Sequence, residues 1–480
     1  MSVTSTSGDI LTDQVLTWAD FSNIVRVTSS MNYVYAATTE GIIRYNKTEH
    51  RFEDPLTGRA GLRGTNVLGL WADTFDKKLR LTTDAGKFEY DPFFEEWSEV
   101  PDYDQFDSDV THIATPGGML APFGYNMLED GTIIDKFGRN FPINDMIDDG
   151  TGTLWIGTWG HGLATAERNS GLLELLPYGL LQNGVSALFD DDSLLWIGGP
   201  ASTSYRTGLT GFNVSENSFE YIESGLSNRF PISDVHALTG NQKALFIGST
   251  DGLFVYDREL GQISDRMTAR NGLPETEVSA LQLIGDSLFV ATTGGIAILD
   301  FQKDSISYPY PSTFYNTVIY DFELVDRTLW IASERGAYRL NLDNGELFEF
   351  HDPESILFSR VYALDRYRDD LGLLGDDGFV RLNLKTGKTK GYQSATVHIG
   401  NNYYPFPGFA MNDQVAAVSS LGGFTLFFEA KRKPVYREFG SRDGLPSENV
   451  MVLKFDGDYL WVGTDRGLSS FWWNNPNRVD

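Results

Sequence analysis

The sequence contains no cysteine, so neither a disulfide nor a thiolate-bound metal can contribute to this protein. No segment approaches about 18 consecutive apolar residues, and so no transmembrane helix is predicted. The first residues, MSVTSTSGDILTDQ, show neither a basic region nor an apolar run, and no secretory signal is visible in them. A P-loop, a G-x-S-x-G elbow and the D-x-[DN]-x-[DN]-G calcium loop are also missing. We therefore expect no cofactor and no bound metal.

Positive charge is scarce as well. Lysine and arginine number 38 against 66 aspartates and glutamates, which gives a formal net charge of −28. Such a field repels phosphate backbones and anionic lipid surfaces, so we expect no nucleic-acid partner and no membrane insertion. The acidity itself is typical of a large β-protein that stays soluble and avoids pairing between sheet edges.

What the sequence does contain is a repeated phrase. Clear copies read LWIGTWGHGL (154–163), LFIGSTDGLFVYD (245–257), LFVATTGGIAILD (288–300), LWIASERGAYRLN (329–341) and LWVGTDRGLSSF (460–471). The turn glycines of the later copies lie 41 to 45 residues apart, and they are Gly252, Gly295, Gly336, Gly378, Gly423 and Gly467. Short apolar runs alternate with turn residues and show no helical period. Four strands with four turns need roughly 43 residues, which is one propeller blade.

About eleven such units span the chain, so the predicted fold is all-β, with two β-propellers of four-stranded blades. The segment 14–21 is a spare strand that we expect to complete the last blade and close a ring. This predicts one propeller from 1–100 plus 315–480, of about six blades, and an inserted one of about five blades at 101–314. The alternative is a contiguous division into 1–228 and 229–480. The unit from Met119 to Ile134 fits the repeat worst.

The combination of N-G-L-P, V-x-x-L and L-W-I-G-T-x-x-G-L resembles the two-component-regulator propeller repeat over nearly the entire chain. The resemblance implies tandem propellers of bacterial sensor ectodomains, or related surface propellers of the type IX secretion apparatus. No immunoglobulin-like module, membrane span or kinase region follows the repeats, so we do not expect a sensor that signals in cis. The implied location is the periplasm or the cell surface, and a cytoplasmic location stays open.

Candidate binding residues lie on the turns between the second and third strands and on the loops that lead into the next blade. Both are expected on the same face of a propeller. Aromatic side chains beside charged groups suit sugars or peptides there. The candidates are Trp159, His161, Tyr205, Arg206, Asp251, Glu334, Arg335, Asp465 and Arg466. Asp376 and Asp377 lie on an equivalent tip. His161, between two glycines, is expected to be accessible, as an exposed loop histidine rather than a metal ligand.

Three functions fit these observations. The first is a non-catalytic binding or scaffold protein that engages a protein or a carbohydrate through a propeller face. The second is a ligand-sensing module that recognises oligosaccharides, as the resemblance implies. The third is a propeller lyase or hydrolase that uses His161 with nearby carboxylates. The absence of a catalytic set of residues favours the first, and no catalytic residue is predicted.

Overall fold

The structure is a computed structural model, and it describes residues 15–57, 66–73, 78–101, 111–113, 119–201, 206–225, 230–353, 355–357, 360–393, 407–428 and 435–475. The chain divides into two compact units. Unit 1 consists of Met1–Asn183 and Thr203–Tyr221, and unit 2 of Gly184–Ser202 and Ile222–Asp480. Among the described residues, no helix has the length and apolarity needed to cross a membrane.

Strands of two to seven residues dominate both units, as the alternation of apolar runs with turn residues predicts. The strands up to residue 183 are β1 (Val15–Trp18), β2 (Ile24–Ser29), β3 (Tyr33–Thr38), β4 (Ile42–Asn46), β5 (Arg51–Phe52), β6 (Val67–Ala72), β7 (Leu79–Thr83), β8 (Gly86–Asp91), β9 (Glu96–Glu99), β10 (Thr111–His112), β11 (Tyr125–Met127), β12 (Ile133–Asp135), β13 (Asn140–Phe141), β14 (Ile143–Asp148), β15 (Thr153–Thr158), β16 (Leu163–Glu167) and β17 (Leu173–Leu176).

The next four strands are β18 (Ala187–Asp190), β19 (Leu195–Gly198), β20 (Gly208–Asn213) and β21 (Ser218–Glu223). The strands from residue 230 onwards are β22 (Val235–Gly240), β23 (Ala244–Ser249), β24 (Gly252–Asp257), β25 (Gln262–Met267), β26 (Val278–Ile284), β27 (Ser287–Thr292), β28 (Gly295–Asp300), β29 (Ser305–Ser307), β30 (Ile319–Val325), β31 (Thr328–Ser333), β32 (Gly336–Asn341), β33 (Leu347–Phe350), β34 (Val361–Tyr367), β35 (Asp370–Gly375), β36 (Gly378–Asn383), β37 (Thr389–Gln393), β38 (Phe409–Met411), β39 (Val415–Ser420), β40 (Gly423–Phe428), β41 (Val435–Phe439), β42 (Val450–Asp456), β43 (Tyr459–Thr464) and β44 (Gly467–Trp472). Helical structure is confined to α1 (Pro311–Phe314) and a 3₁₀ turn (Ser441–Asp443) in the described part of the chain.

The strands form four-stranded antiparallel sheets in simple sequential order. In unit 1 these are β2–β5 and β6–β9, and in unit 2 they include the five sheets from β22–β25 to β38–β41. Unit 1 also contains a five-stranded sheet, β10-β14-β15-β16-β17, and a three-stranded sheet, β11-β12-β13. The three-stranded sheet coincides with the segment that fits the repeat worst. The all-β fold of four-stranded sheets is therefore confirmed.

The first strand of most sheets contains a β-bulge near its start. The register shifts between Ile319 and Asp321 in β30 and between Val361 and Ala363 in β34. The same shift occurs in β2, β6, β14, β22, β26 and β42. A bulge leaves one residue unpaired and re-aims the side chains that follow it. The alternation of polar and apolar residues alone therefore does not predict which face of the sheet each side chain of these strands occupies.

The tight turn between the second and third strands follows the predicted glycine pattern. The glycines at this position have φ values between +107° and +149° at Gly252, Gly295, Gly336, Gly378, Gly423 and Gly467. A serine or threonine before the turn donates its hydroxyl to the glycine carbonyl, for example Ser249 to Gly252 at 3.0 Å and Thr464 to Gly467 at 3.0 Å. The turn thus has a local, sequence-encoded cause.

The apolar cores lie between the faces of neighbouring sheets. Trp330, 2% exposed, packs with Val361 and Leu364 of the following sheet. A similar cluster joins β22–β25 to β26–β29, and another joins β2–β5 to β6–β9. A single sheet cannot bury its own faces, so stability comes from stacking successive sheets. Replacing a buried tryptophan such as Trp330 with alanine would cost about 3–5 kcal/mol.

Two aspartates in turns, Asp149 and Asp191, also connect neighbouring sheets. Asp149 in unit 1 accepts hydrogen bonds from Trp155 Nε1 and from Lys47 Nζ, at 3.1 and 3.0 Å. Asp191 in unit 2 accepts from Trp196 Nε1 at 2.8 Å and forms an ion pair with Arg258 at 2.7 Å. Burial opposes ionisation of both carboxyls, but hydrogen bonds from the turn residues Thr151 and Ser193, together with those from the tryptophans and the cations, outweigh it and lower their pKa values. Each aspartate therefore ties the tryptophan of its own sheet to a cation of the adjoining sheet.

In unit 2 the first strands of successive sheets follow one another around a circle. Each of β18, β22, β26, β30, β34 and β38 contacts the next, and β42 contacts both β38 and β18. This circle of first strands surrounds a channel. The strand β1 is present where a spare strand was expected, but the sheet that it completes and the division of the blades between two rings stay predictions.

Candidate functional site

The channel of unit 2 lies on the axis that the first strands of its sheets surround. It encloses a cavity of about 300 Å³ to which all the first strands of the circle contribute. Most of its lining is small or apolar, as in Ala237, Ala280 and Ala363. The polar and aromatic exceptions are Ser186, His236, Ser279, Tyr320, Asp321, Tyr362, Asp365, Phe409 and Lys454. These exceptions give the channel its chemistry.

Two tyrosines occupy equivalent bulges on neighbouring strands. Tyr320 is the extra residue of the β30 bulge, and Tyr362 is the extra residue of the β34 bulge. Their ring centroids lie 5.1 Å apart with an angle of 34° between the ring planes. Burial raises the pKa of Tyr320 to about 12, and Tyr362 adds to this effect. Both rings therefore stay neutral at physiological pH, as an aromatic pair at the start of the two strands, which we call the channel mouth.

Charged groups from the flanking loops complete the channel mouth. The Tyr362 hydroxyl donates to Asp376 Oδ1 at 2.7 Å, and Arg360 Nη1 donates to the Tyr362 hydroxyl at 3.4 Å. Burial and the bond to Asp376 raise the pKa of Tyr362, and Arg360 partly offsets this. Glu334 also acts on Tyr320 through its charge. The exposed Arg360 guanidinium has five N–H donors, so it can bind a ligand oxygen while it contacts Tyr362.

Deeper in the channel, two aspartates bind backbone N–H groups of the next sheet. Asp321 Oδ2 accepts from the Leu364 amide at 2.8 Å, and Asp365 Oδ2 accepts from the Met411 amide at 2.6 Å. Asp321 Oδ1 also accepts from the Phe322 amide at 2.8 Å, within its own bulge. Burial raises the pKa of each carboxyl to about 7, despite these hydrogen bonds. The two aspartates thus connect three successive sheets.

Glu323 adds a third carboxyl on the same strand as Asp321. Burial raises its pKa to about 8, and the charges of Asp365 and Asp321 raise it further. Arg366 and Lys454 oppose the rise without cancelling it. Across the channel wall, burial lowers the pKa of His236 to about 4, so this imidazole is neutral. The site therefore holds acids that favour the neutral form and a neutral histidine.

No group of three or more potential ligands within the described ranges is arranged to hold a metal ion. The channel carboxyls also favour the protonated form, which binds cations weakly. The channel mouth can offer a ligand an aromatic surface beside charged groups that form hydrogen bonds.

Five of the predicted binding residues lie on turns of unit 2. Glu334 is half-buried and belongs to the channel mouth, and its neighbour Arg335 is exposed and donates to the Thr313 carbonyl at 3.2 Å. Asp251 lies on another turn between a second and a third strand, and its Oδ1 is 3.9 Å from Nη2 of Arg266. Asp465 and Arg466 are exposed on the turn before β44. Only Glu334 joins the aromatic pair, and a binding role for the others stays a prediction.

The remaining predicted residues belong to unit 1. Trp159 is half-buried and its amide donates to the Pro142 carbonyl at 2.9 Å. Arg206 lies over the Tyr221 ring at 5.1 Å. Arg206 and His161 line the same small cavity, of about 10 Å³. Tyr205 lies outside the described residues.

The expected accessibility of His161 is wrong, because the side chain is only 5% exposed. Its Nε2 lies 2.9 Å from the Tyr125 hydroxyl, and the ring packs edge-on against Phe141 at 4.9 Å. The glycines on both sides donate their amides to the Ser22 carbonyl, which draws the loop inwards. A cavity of about 10 Å³ holds about one water molecule, so a substrate does not fit beside this imidazole.

Apart from Arg360, which precedes β34, the residues that sequence reasoning missed lie on first strands. The signal was available in IYDFELV (319–325) and VYALDRY (361–367), where acids interrupt strands that are otherwise apolar, in contrast to VSALQLI (278–284). Buried charges are rare in strands and normally have partners or a function. The predicted binding residues lie on turns, so they do not include these acids on the strands.

No protein-family model matches the chain, and no curated protein matches it. Among solved structures it is similar to PorZ, a surface component of the type IX secretion system of Porphyromonas gingivalis, at 16% identity and a TM-score of 0.49, over 94% of this chain and 68% of that one. It is also similar to two structures of the extracellular domain of BT4673, a proposed signalling system of B. thetaiotaomicron, with a TM-score of 0.46 for each. Their identities are 15% and 14%, over 95% and 93% of this chain and 71% and 70% of those chains.

Four-stranded antiparallel sheets whose first strands surround a channel define a β-propeller, and this chain is a protein of that class. These structures are the extracellular domain of a one-component or hybrid two-component system and a surface component of a secretion system. At TM-scores below 0.5 these similarities assign no ligand, partner or compartment to the chain.

Proposed function

We propose that this chain is a non-catalytic binding protein of a bacterial surface or periplasmic system, and that it takes a protein or carbohydrate partner at the channel mouth of unit 2. The observation that carries the proposal is the pair of packed tyrosines, Tyr320 and Tyr362, placed beside Arg360 and Asp376. The aromatic faces supply apolar area, and the charged groups supply directional hydrogen bonds.

The arrangement supports binding rather than catalysis. Tyr362 donates to Asp376 and accepts from Arg360, so its hydroxyl is held in place rather than activated as a base. Its raised pKa also opposes ionisation. The histidine in the channel lining, His236, is neutral, and its Nε2 lies 3.9 Å from Oε1 of the partly buried Glu277. A general base would need a shorter contact with a reacting group.

The proposal is tested with a glycan array and a peptide array, each probed with the wild-type chain and with four variants. Arg360→Ala and Tyr362→Phe alter the channel mouth. Arg327→Ala and Tyr459→Phe are matched controls, because Arg327 lies on the turn after β30 and Tyr459 begins β43, each at the far end of a first strand from the channel mouth. We expect binders in one array that Arg360→Ala weakens about tenfold or more, while both controls bind as the wild type does.

The two arrays separate the classes of partner. Hits confined to glycans identify a carbohydrate, and hits confined to peptides identify a protein. Silence in both arrays contradicts the proposal, and so does a binder that tolerates Arg360→Ala as well as it tolerates Arg327→Ala. Charge reversal at Arg335 and Arg466 then tests whether the predicted turn residues extend the binding face.

A further inference from the structure

The turns that lead into the last strand of a sheet share one backbone conformation. In each turn the fourth residue after the preceding strand has a positive φ, between +49° and +75° in His50, Glu95, Gly171, Asn217, Gly261, Asp304, Gly345 and Gly387. Most of these turns follow an aspartate or asparagine whose side chain accepts the next amides, as Asp257 does from Glu259 and Leu260. The shared conformation therefore depends on the first residue and the positive φ, and it does not require apolar residues between them.

The turn between β8 and β9 in unit 1 differs from the others in the two residues before the positive φ. These two residues are polar in the other turns apart from Leu260, but here they are Phe93 and Phe94. They are 84% and 67% exposed, and their ring centroids lie 4.9 Å apart at an interplanar angle of 90°. Asp91 Oδ1 accepts both of their amides, at 2.9 and 3.4 Å. Single exposed apolar side chains are ordinary, but two in contact on a fixed turn form a patch that suits a partner.

The charges beside this patch are negative. Glu95 and Glu96 follow the two phenylalanines directly, and both are exposed. Glu95 Oε1 lies 3.8 Å from Nη2 of Arg44, a long contact for an exposed carboxylate. We call residues 93–96 the acidic tip. It complements an apolar surface that has cations beside it, and an anionic lipid surface is a poor match for it.

A turn with the opposite charge occurs in the same unit, between β12 and β13. It presents Phe137, 44% exposed, with Lys136 Nζ 4.9 Å from the ring centroid. Asp135 Oδ1 accepts the amides of Phe137 and Arg139, both at 2.9 Å, so an aspartate fixes this turn as well. Arg139 forms an ion pair with Asp135 at 2.6 Å, whereas Lys136 is exposed. Residues 136–139, which we call the basic tip, therefore have the aromatic and charged groups that complement the acidic tip.

We propose that the acidic tip of one copy of this chain binds the basic tip of a second copy. The rings of Phe93 and Phe94 pack against Phe137. Lys136 pairs with Glu96 beside the rings. At physiological salt the net charge of −28 is screened beyond about 8 Å, so the charges of the tips decide whether two copies attract each other. A contact below about 1,200 Å² is weak, and we expect a dissociation constant on the order of 10 to 100 µM.

Sedimentation equilibrium of the full chain, between about 5 and about 200 µM at physiological salt, tests this inference. We expect the average mass of the wild type to rise with concentration, and Phe93→Ser/Phe94→Ser to keep the mass of a monomer. Leu260→Ser is the matched control, because Leu260 is 63% exposed at the position of Phe94 in an equivalent turn. It should associate as the wild type does. Unchanged melting temperatures would show that all variants fold.

A charge exchange tests the pairing of the two tips. Glu96→Lys and Lys136→Glu each place like charges in the contact, and each should weaken association about fivefold or more. A mixture of these two variants has opposite charges wherever unlike copies meet. The mixture should therefore regain the association of the wild type, although neither variant associates well alone.

Three results would overturn the inference. The first is a wild type that stays monomeric at every concentration, and the second is a Lys136→Glu variant that associates like the wild type. The third is a monomeric chain that binds phosphatidylcholine vesicles and loses this binding in Phe93→Ser/Phe94→Ser, because the acidic tip would then belong to a lipid surface. These measurements concern unit 1 and need no ligand, so their outcome is independent of the binding function proposed for unit 2.

Discussion

The two units place an aspartate at the same position after a β-bulge and surround it differently. Asp145 in unit 1 and Asp321 in unit 2 both follow a bulge, and each accepts an amide of a neighbouring first strand at 2.8 Å, from Val27 and Leu364 respectively. Each also accepts the amide of the next residue in its own strand. The position therefore has a structural role in both units.

The neighbours of the second carboxyl oxygen distinguish the units. Asp145 Oδ1 lies 2.9 Å from Nδ1 of the half-exposed His112. Asp321 has Asp365 and Glu323 as charged neighbours instead. A cationic partner favours the ionised carboxyl, and acidic partners favour the neutral one. The comparison shows that one backbone position can face a histidine or further acids, depending on the side chains of the adjacent sheet.

The largest predicted difference between the units concerns the turn glycine. A Cβ atom at Gly378 would lie 2.1 Å from the Tyr392 carbonyl oxygen, whereas a Cβ atom at Gly86 would meet nothing closer than 3.6 Å. Their φ values are +149° and +152°, so backbone strain is similar. We expect Gly378→Ala to cost about 3–5 kcal/mol and Gly86→Ala about 1 kcal/mol in thermal unfolding. Equal losses of stability in Gly378→Ala and Gly86→Ala would show that packing around the turn glycine does not differ between the units.

The next prediction removes the shared aspartates. Asp321→Ala and Asp145→Ala each leave two backbone amides without their acceptor, and each should cost about 2–4 kcal/mol in urea unfolding. Asp321→Asn should recover part of the loss because its single amide oxygen can replace one of the two carboxyl oxygens, of which Oδ2 accepts from Leu364 and Oδ1 from Phe322. Asp145→Asn should recover less, since it removes the charge that faces His112. If Asp321→Asn and Asp145→Asn are equally stable, the neighbours of the second carboxyl oxygen cause no difference in stability between the units.

The smallest effect is expected at His112. The hydrogen bond to Asp145 raises the pKa of His112 above 6.5, with burial opposing the rise. The stabilisation is present below the unfolded pKa and is lost as the pH rises through the higher folded value. His112→Gln should therefore flatten a shallow fall in the melting temperature of unit 1 above about pH 6.5, visible by calorimetry. Because the ring is half-exposed, solvent screens most of the interaction.

The sequence is enough to predict the sheets and their turns, since both have local causes. The repeat of roughly 43 residues predicts four-stranded units, and the turn glycines adopt the expected positive φ. The bulges are different, because no residue type marks them in VSALQLI or IYDFELV. Each bulge changes which face of the sheet the following side chains occupy. The alternation of polar and apolar residues therefore does not predict that Tyr320, Asp321 and Tyr362 lie around one channel.

The burial of His161 shows the second limit. Its neighbours in sequence, Gly160 and Gly162, indicate an open turn, but the contacts that cover the ring come from Tyr125 and Phe141, at least 20 residues away. Long-range packing of this kind is not encoded in the local sequence pattern. The acids of the channel were visible as exceptions to the repeat, and their grouping required the circular order of the first strands.

The most direct test of the account is the ratio of dissociation constants for a ligand identified on the arrays, measured by titration calorimetry with Arg360→Ala and with Arg327→Ala. The account predicts that Arg360→Ala weakens binding about tenfold or more relative to Arg327→Ala, with both variants as stable as the wild type. A ratio near one would contradict the assignment of the binding site to the channel mouth of unit 2.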